Sequence, residues 1–295
     1  MIYHYCMNDN ENKLIPASTV LIIRNGKTGI EVFMVVRHHE IDFASGALVF
    51  PGGKVDRNDY DEKLKNLSYI DEESESENLP FKIAAIRESF EEANVLFAND
   101  NTSNSLVSIN RLKNLNQWRE KFNNNTTSMI EFASMEGLSF STKNLIPFAH
   151  WITPEKMPKR FDTRFYIAEA PKDHEGEHDG SESVDSIWIS PQQALEDCYS
   201  KKRTIIFPTR LNLEKLSKSS SVEEALDRAR NSKIVTVMPS ISNIEGEPFL
   251  TIPENAGYGI IKEPVSYTHL RAHETRGMLV CRVLRDKKRG GGGGG

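Results

Sequence analysis

The chain has 295 residues, 38% hydrophobic and 27% charged, with a net charge of −5. That is enough for one ample domain with an appendage, and the acidity argues against a nucleic-acid backbone as partner. No apolar run approaches the ~18 residues of a membrane span, the start MIYHYCMNDNENK lacks a signal-peptide pattern, and Cys6, Cys198 and Cys281 fit neither zinc nor a disulfide set, so a cytoplasmic location is expected.

Residues 1–13 are polar and expected to be loose. Ala17–Arg24 (ASTVLIIR) and Glu31–Arg37 (EVFMVVR) are β-branched runs on either side of Asn25-Gly26, which predicts a hairpin. His38, His39 and Glu40 follow. Neighbours on an extended chain point to opposite faces and no third His is near, so they read as a polar loop or a substrate contact rather than a metal site. The apolar run ending at Phe50 enters PGGKVD, where Gly52 and Gly53 let backbone approach a ligand closely. Asn58–Leu79 (NDYDEKLKNLSYIDEESESENL) is acidic and serine-rich and reads as a solvated excursion.

Lys82–Val95, KIAAIRESFEEANV, predicts an amphipathic helix with Ile83, Ile86, Phe90 and Ala93 as its apolar stripe. Glu88, Glu91 and Glu92 are spaced i, i+3, i+4 and share one face. Like charges so placed repel. Either water screens them, as on any solvated Glu-rich face, or a hard divalent cation such as Mg²⁺ or Mn²⁺ binds them and bridges to phosphate.

Arg111–Phe122 and Thr127–Gly137 read as helices and Leu145–Trp151 as a short apolar segment. Arg160–Ala168 (RFDTRFYIA) alternates as a strand does. Arg160 and Arg164 flank Asp162 there, and their forks suit either phosphate or a structural carboxylate. Pro171–Ser181, with His174 and His178, is a polar loop. Glu182–Ile189 is a second alternating strand, and Ser190-Pro191 starts a helix. Arg210–Leu216 and a helix opened by the Ser221/Glu224 capping box follow, then short strands at Ile234–Pro239 and Phe249–Ile252. Residues 208–263 are expected to be an appendage packed on the core of a domain over 14–207. Residues 264–295 show neither period and end in Gly290–Gly295. They read as translated read-through rather than selected protein.

Gly53 followed by Arg87, Glu88, Glu91, Glu92 and Val95 resembles the Nudix box, G-x5-E-x7-R-E-U-x-E-E-x-G-U. The step from Gly53 to Arg87 is 87 − 53 = 34, about 20 more than the box uses. Asp59, Asp61 and Glu62 are all candidates for its first Glu. Ser89 stands at an aliphatic place and Asn94 at the last Gly, a residue that tolerates positive φ. The long insertion, with HHEIDFASGALVFPGGKVD before it and AAIRESFEEANVLF after it, resembles the peroxisomal coenzyme A diphosphatase branch of the Nudix hydrolases.

The resemblance implies an α/β/α sandwich with a mixed sheet, inserted helices and a C-terminal helical appendage. It implies hydrolysis of a small nucleoside diphosphate derivative, best read as coenzyme A or acyl-CoA giving 3′,5′-ADP and (acyl-)phosphopantetheine. Glu88, Glu91 and Glu92 would hold Mg²⁺ or Mn²⁺, Arg87 would orient the carboxylates, and Glu88 or Glu182 (with Glu177 and Asp179 as alternatives to the latter) would act as base. Gly52, Gly53, Arg160 and Arg164 would meet substrate. Other open readings are hydrolysis of ADP-ribose, NADH or nucleotide sugars, and a non-catalytic module on the same fold. No nucleic-acid or membrane partner is expected, and a homodimer is an open alternative.

Overall fold

A computed structural model describes residues 13–37, 46–69, 77–155, 157–180 and 183–265. His38, His39, Glu40 and Glu182 therefore lie outside the described residues, as do residues 1–12 and 266–295.

The first hairpin forms as expected. β1 (Leu14–Asn25) and β2 (Ile30–Arg37) pair antiparallel. Their connection is the loop 26–29 rather than Asn25-Gly26 alone, and it is closed by Gly26 N–H donating to Gly29 O at 2.7 Å. β3 (Leu48–Val49) pairs with β2, and β4 (Gly52–Lys54) pairs antiparallel with β1. The main sheet is completed by β8 (Ile146–Ile152), β9 (Arg160–Glu169), β10 (Ser183–Ile189) and β11 (Thr236–Val237). Its order is β10-β2-β1-β9-β8-β11. β1 runs parallel to β9, and β11 parallel to β8, while the other pairs are antiparallel, so the sheet is mixed.

Alternation along the central strands sends side chains into two cores. Val20, Ile22, Phe33, Val35, Tyr166 and Ala168 pack on one face beneath α1 (Leu79–Ala93). Leu21, Ile23, Val32, Met34, Phe165 and Ile167 pack on the other. The α1 side also carries α2 (Ile109–Asn123), α3 (Met129–Glu136) and a small sheet of β5 (Ala98–Asp100), β6 (Ser105–Leu106) and β7 (Leu138–Phe140). Stacked Phe90 and Phe132 tie α1 to α3. The opposite side carries α4 (Pro191–Tyr199), α5 (Phe207–Leu216) and α6 (Val222–Arg230).

The expected appendage is more than a cap on the core. Leu211, Leu213, Leu216, Val222 and Ala225 are buried in the second core, and β11 extends the main sheet. A second small sheet, of β12 (Ser240–Ile244), β13 (Glu247–Thr251) and β14 (Lys262–Pro264), closes this end. Tyr258 Oη accepts from Trp151 Nε1 at 2.9 Å and donates to Asn212 Oδ1 at 2.7 Å.

The insertion also differs from expectation. Arg57–Tyr60 and Glu62–Leu67 form short 3₁₀ helices, and Asp59 and Leu64 are buried. Leu64 belongs to the core under α1, so this part is no solvated excursion. A few apolar residues scattered through a charged stretch leave no periodic signal, which is why the pattern misleads.

Candidate active site

Helix α1 starts at Leu79, three residues before the predicted Lys82, because Pro80 is pre-organised for the first turn. It ends at Asn94, whose φ of 51° and ψ of 37° give the left-handed cap. Ser89 is buried, and its hydroxyl donates to Ala85 O at 2.6 Å, so a polar group sits at this apolar position without an unmet bond.

The glycine turn is fitted against this helix. A Cβ on Gly53 would lie 2.4 Å from Glu88 Oε1, and one on Gly52 would lie 2.4 Å from Ser18 O. Gly52 N–H donates to Glu92 Oε2 at 2.9 Å. The glycines expected at substrate thus meet the helix carboxylates directly.

Arg87 is the hub. Its Nη1 donates to Glu88 Oε1 at 2.9 Å and to Glu91 Oε1 at 3.2 Å. Its Nη2 donates to Lys54 O at 2.8 Å and to Asp59 Oδ2 at 3.1 Å, and its Nε to Asp59 Oδ1 at 3.4 Å. Asp59 is itself oriented by Asp56 N–H, which donates to its Oδ2 at 2.8 Å. Of Asp59, Asp61 and Glu62, only Asp59 meets Arg87 among the described residues. A count of five residues between Gly53 and Asp59 was the available signal, and it places the extra length after Asp59.

Burial works against the Arg87 charge, but Glu88, Asp59 and Glu91 outweigh it and hold the guanidinium protonated. Burial pushes the Asp59 carboxyl up, against the pull of Arg87. Burial, and then the neighbouring Glu88, push Glu91 up to about 8. A nearby dication would reverse that shift, and the hard oxygen donors of Glu88, Glu91 and Glu92 are the type Mg²⁺ and Mn²⁺ accept. The donor set therefore fits such an ion, although no three His, Cys, Asp or Glu side chains are gathered as a ligand cluster among the described residues. Of the three glutamates, Glu91 lines a small cleft with Asp56, Asp59 and Arg87, which Asn125, Thr127 and Ser128 also line.

The loop before β10 docks beside this face. Glu177 N–H donates to Ala93 O at 2.8 Å, and Asp179 Oδ1 accepts from Ser183 N–H at 3.0 Å. Arg119 of α2, which the sequence reading left unassigned, bonds Glu91 O at 2.9 Å and Glu177 O at 3.0 Å. It clamps the loop to the C-terminal end of α1. A lone Arg on a polar helix face carries no signal for such a contact.

The two strand arginines separate. Arg160 is buried, with Nε donating to Thr153 O at 3.2 Å and Nη2 3.7 Å from Met238 Sδ. Arg164 lies over the Phe81 ring, 4.0 Å from its centroid.

The profile of the NUDT19 Nudix domain matches residues 68–216, a stretch that contains Arg87, Glu88, Glu91 and Glu92. The chain is 30% identical over 200 residues to "Putative nudix hydrolase 7" of Caenorhabditis elegans, covering 68% of this chain and 60% of that one. It is 25% identical over 240 residues to "Acyl-coenzyme A diphosphatase NUDT19" of Xenopus laevis, covering 68% of this chain and 63% of that one. The chain thus spans less than two thirds of the length of these relatives. The crystal structure of a NUDIX hydrolase from Alicyclobacillus acidocaldarius is similar with a TM-score of 0.65 at 23% identity, covering 75% of this chain and 99% of that one. At that identity the likeness concerns the fold alone.

Proposed function

The chain belongs to the Nudix hydrolase family, and from that premise we propose that it cleaves a diphosphate linkage in a nucleoside diphosphate derivative, with coenzyme A or an acyl-CoA as its substrate. The observation that carries the reading is the buried Arg87, which bonds Asp59, Glu88 and Glu91 at once. A face of three glutamates with an arginine fixing two of them is a costly arrangement for a surface that does no chemistry.

Glu88, Glu91 and Glu92 would hold Mg²⁺ or Mn²⁺, which when bound neutralises the diphosphate and favours attack by water. Arg87 keeps Glu88 and Glu91 at fixed positions on the helix. Gly52 N–H does the same for Glu92. Glu88 or Glu182 takes the proton of the attacking water, provided one of them comes within hydrogen-bond reach of it. Arg119 holds the loop that leads toward Glu182 against the end of α1, so a loop-borne base would be positioned through α2.

The substrate half of the proposal is supported by the diphosphatase relative, and the hydrolase half by the residues themselves. The test is kcat/KM with Mg²⁺ or Mn²⁺ for coenzyme A beside ADP-ribose, NADH and nucleotide sugars, with products identified by mass. Coenzyme A is expected to lead. Should another compound exceed it about tenfold, roughly 1.4 kcal/mol of transition-state preference, the substrate assignment falls and hydrolysis stands. No hydrolysis of any of them would overturn both.

A further inference from the structure

Strand register lines up Gly53, Ser18, Arg164, His150 and Thr236 as successive partners across β4, β1, β9, β8 and β11. Direct partners share a face of the sheet. Here it is the face toward α1, since Gly53 abuts Glu88 and Arg164 lies over Phe81. Two strand spacings put the Arg164 backbone about 10 Å from Gly53. The row is therefore a polar floor leading away from the carboxylates.

Arg164 differs from the other arginines near it. Arg87 and Arg160 have their donors engaged. Arg164 is half-buried and stacked on an aromatic ring, and among the described residues no hydrogen bond or ion pair engages its guanidinium. Asp162 shares its strand face, but its Oδ1 is directed to His150 Nε2 at 2.5 Å, and His150 Nδ1 meets Thr236 Oγ1 at 2.8 Å. The carboxylate is thus turned along the floor to bond the imidazole, and Arg164 acts on it through charge, helping to hold its pKa down, without a hydrogen bond among the described residues. Two further groups bear on the same place. The Ser18 hydroxyl, between Gly53 and Arg164 in the row, is buried without a hydrogen-bond partner among the described residues. Tyr60 is 50% exposed, and burial raises its phenol while Arg164 offsets part of that rise.

A planar fork held flat by a ring, with its edges free, is pre-organised for a phosphate oxygen pair. We propose that Arg164 anchors a second anion subsite, which takes a phosphomonoester carried on the ribose of the nucleoside diphosphate substrate. The proposal rests on the diphosphate lying at Glu88, Glu91 and Glu92. An extra ribose phosphate then sits one sugar away, within reach of the Arg164 fork. The subsite would give the enzyme its preference for nucleotides with a third phosphate.

Two measurements test it. The first is the ratio of kcat/KM for coenzyme A to that for its form lacking the 3′-phosphate. The second is calorimetric binding of 3′,5′-ADP beside 5′-AMP, which needs no turnover. Wild type is expected to favour the extra phosphate by about tenfold or more in each. Arg164→Gln should bring both ratios close to one, and Arg164→Lys should restore part of them, because charge returns without the fork. Wild-type ratios near one, or an Arg164→Gln protein that folds and keeps the preference, would overturn the subsite. If no diphosphate is hydrolysed but the calorimetric preference depends on Arg164, the hydrolase reading fails and the subsite survives.

Discussion

Arg87 shows what a single side chain contributes here. It is 7% exposed and donates to two helix carboxylates, to Asp59 and to a backbone carbonyl. Asp59→Asn should lower unfolding stability by about 1–3 kcal/mol, since it weakens charge-assisted bonds to a buried guanidinium. Urea denaturation reads that directly, and an unchanged midpoint would mean Glu88 and Glu91 suffice. Glu91→Gln and Glu92→Gln should each slow turnover at least about a hundredfold, roughly 3 kcal/mol of transition-state stabilisation, with the fold intact by circular dichroism. Near-normal rates in both would move any metal site elsewhere. His174 supplies a pH dependence. It is buried, its Nε2 meets Val107 O at 2.9 Å, and its Nδ1 has no partner among the described residues. Burial pushes its pKa down. The unfolded chain therefore takes up a proton that the fold resists. Stability linked to His174 is present above an unfolded pKa of about 6.5 and is lost as pH falls through the lower folded value. The gap in Tm between wild type and His174→Gln should accordingly narrow on acidification. A gap constant across that window would clear His174.

At the scale of elements, α1 and the insertion behave as one unit. The 3₁₀ turn Arg57–Tyr60 delivers Asp59 to Arg87, and the next turn buries Leu64 under the helices. Leu64→Ala should cost about 2–5 kcal/mol, as large-to-small changes in a packed core do. Replacing residues 58–79 with a short Gly/Ser link should give an insoluble or strongly destabilised protein. A soluble, active deletion would mean that the carboxylates of α1 hold Arg87 without Asp59. The stretch was misread because its charges dominate composition, whereas its two decisive residues, Asp59 and Leu64, act through contacts with α1 and the core beneath it. The helix itself was legible, because Ile83, Ile86 and Phe90 repeat at helical spacing and the three glutamates share the opposite side.

Across the whole molecule, the two faces of one mixed sheet are covered by different parts of the chain. Residues from α5, α6, β11 and β13 share the second core with β1, β2 and β9. Arg210 also bonds Glu214 at 2.5 Å and pairs with Glu263 in β14, the last described strand. A chain cut after residue 207 should therefore fail to fold, for it bares the apolar face of the sheet. A chain ending at Val265 should match the full chain in Tm and activity, since β14 and the Arg210–Glu263 pair are kept. A fall of several degrees in differential scanning calorimetry would show that residues 266–295 pack.

The sequence by itself determined the local and the periodic. The β1–β2 hairpin, the alternation of β9, the carboxylate face of α1 and its left-handed end at Asn94 each follow from neighbours within a few residues, where spacing fixes direction. The Nudix box pointed to Arg87, Glu88, Glu91 and Glu92 for the same reason. Contacts between distant segments were decided only in the tertiary structure. Asp59 rather than Asp61 or Glu62 reaches Arg87, Arg119 clamps the loop before β10, and Arg160 is tied down by hydrogen bonds while Arg164 is stacked on Phe81. Such choices depend on strand order and register, which set who stands opposite whom across the sheet, and no period along the chain encodes them.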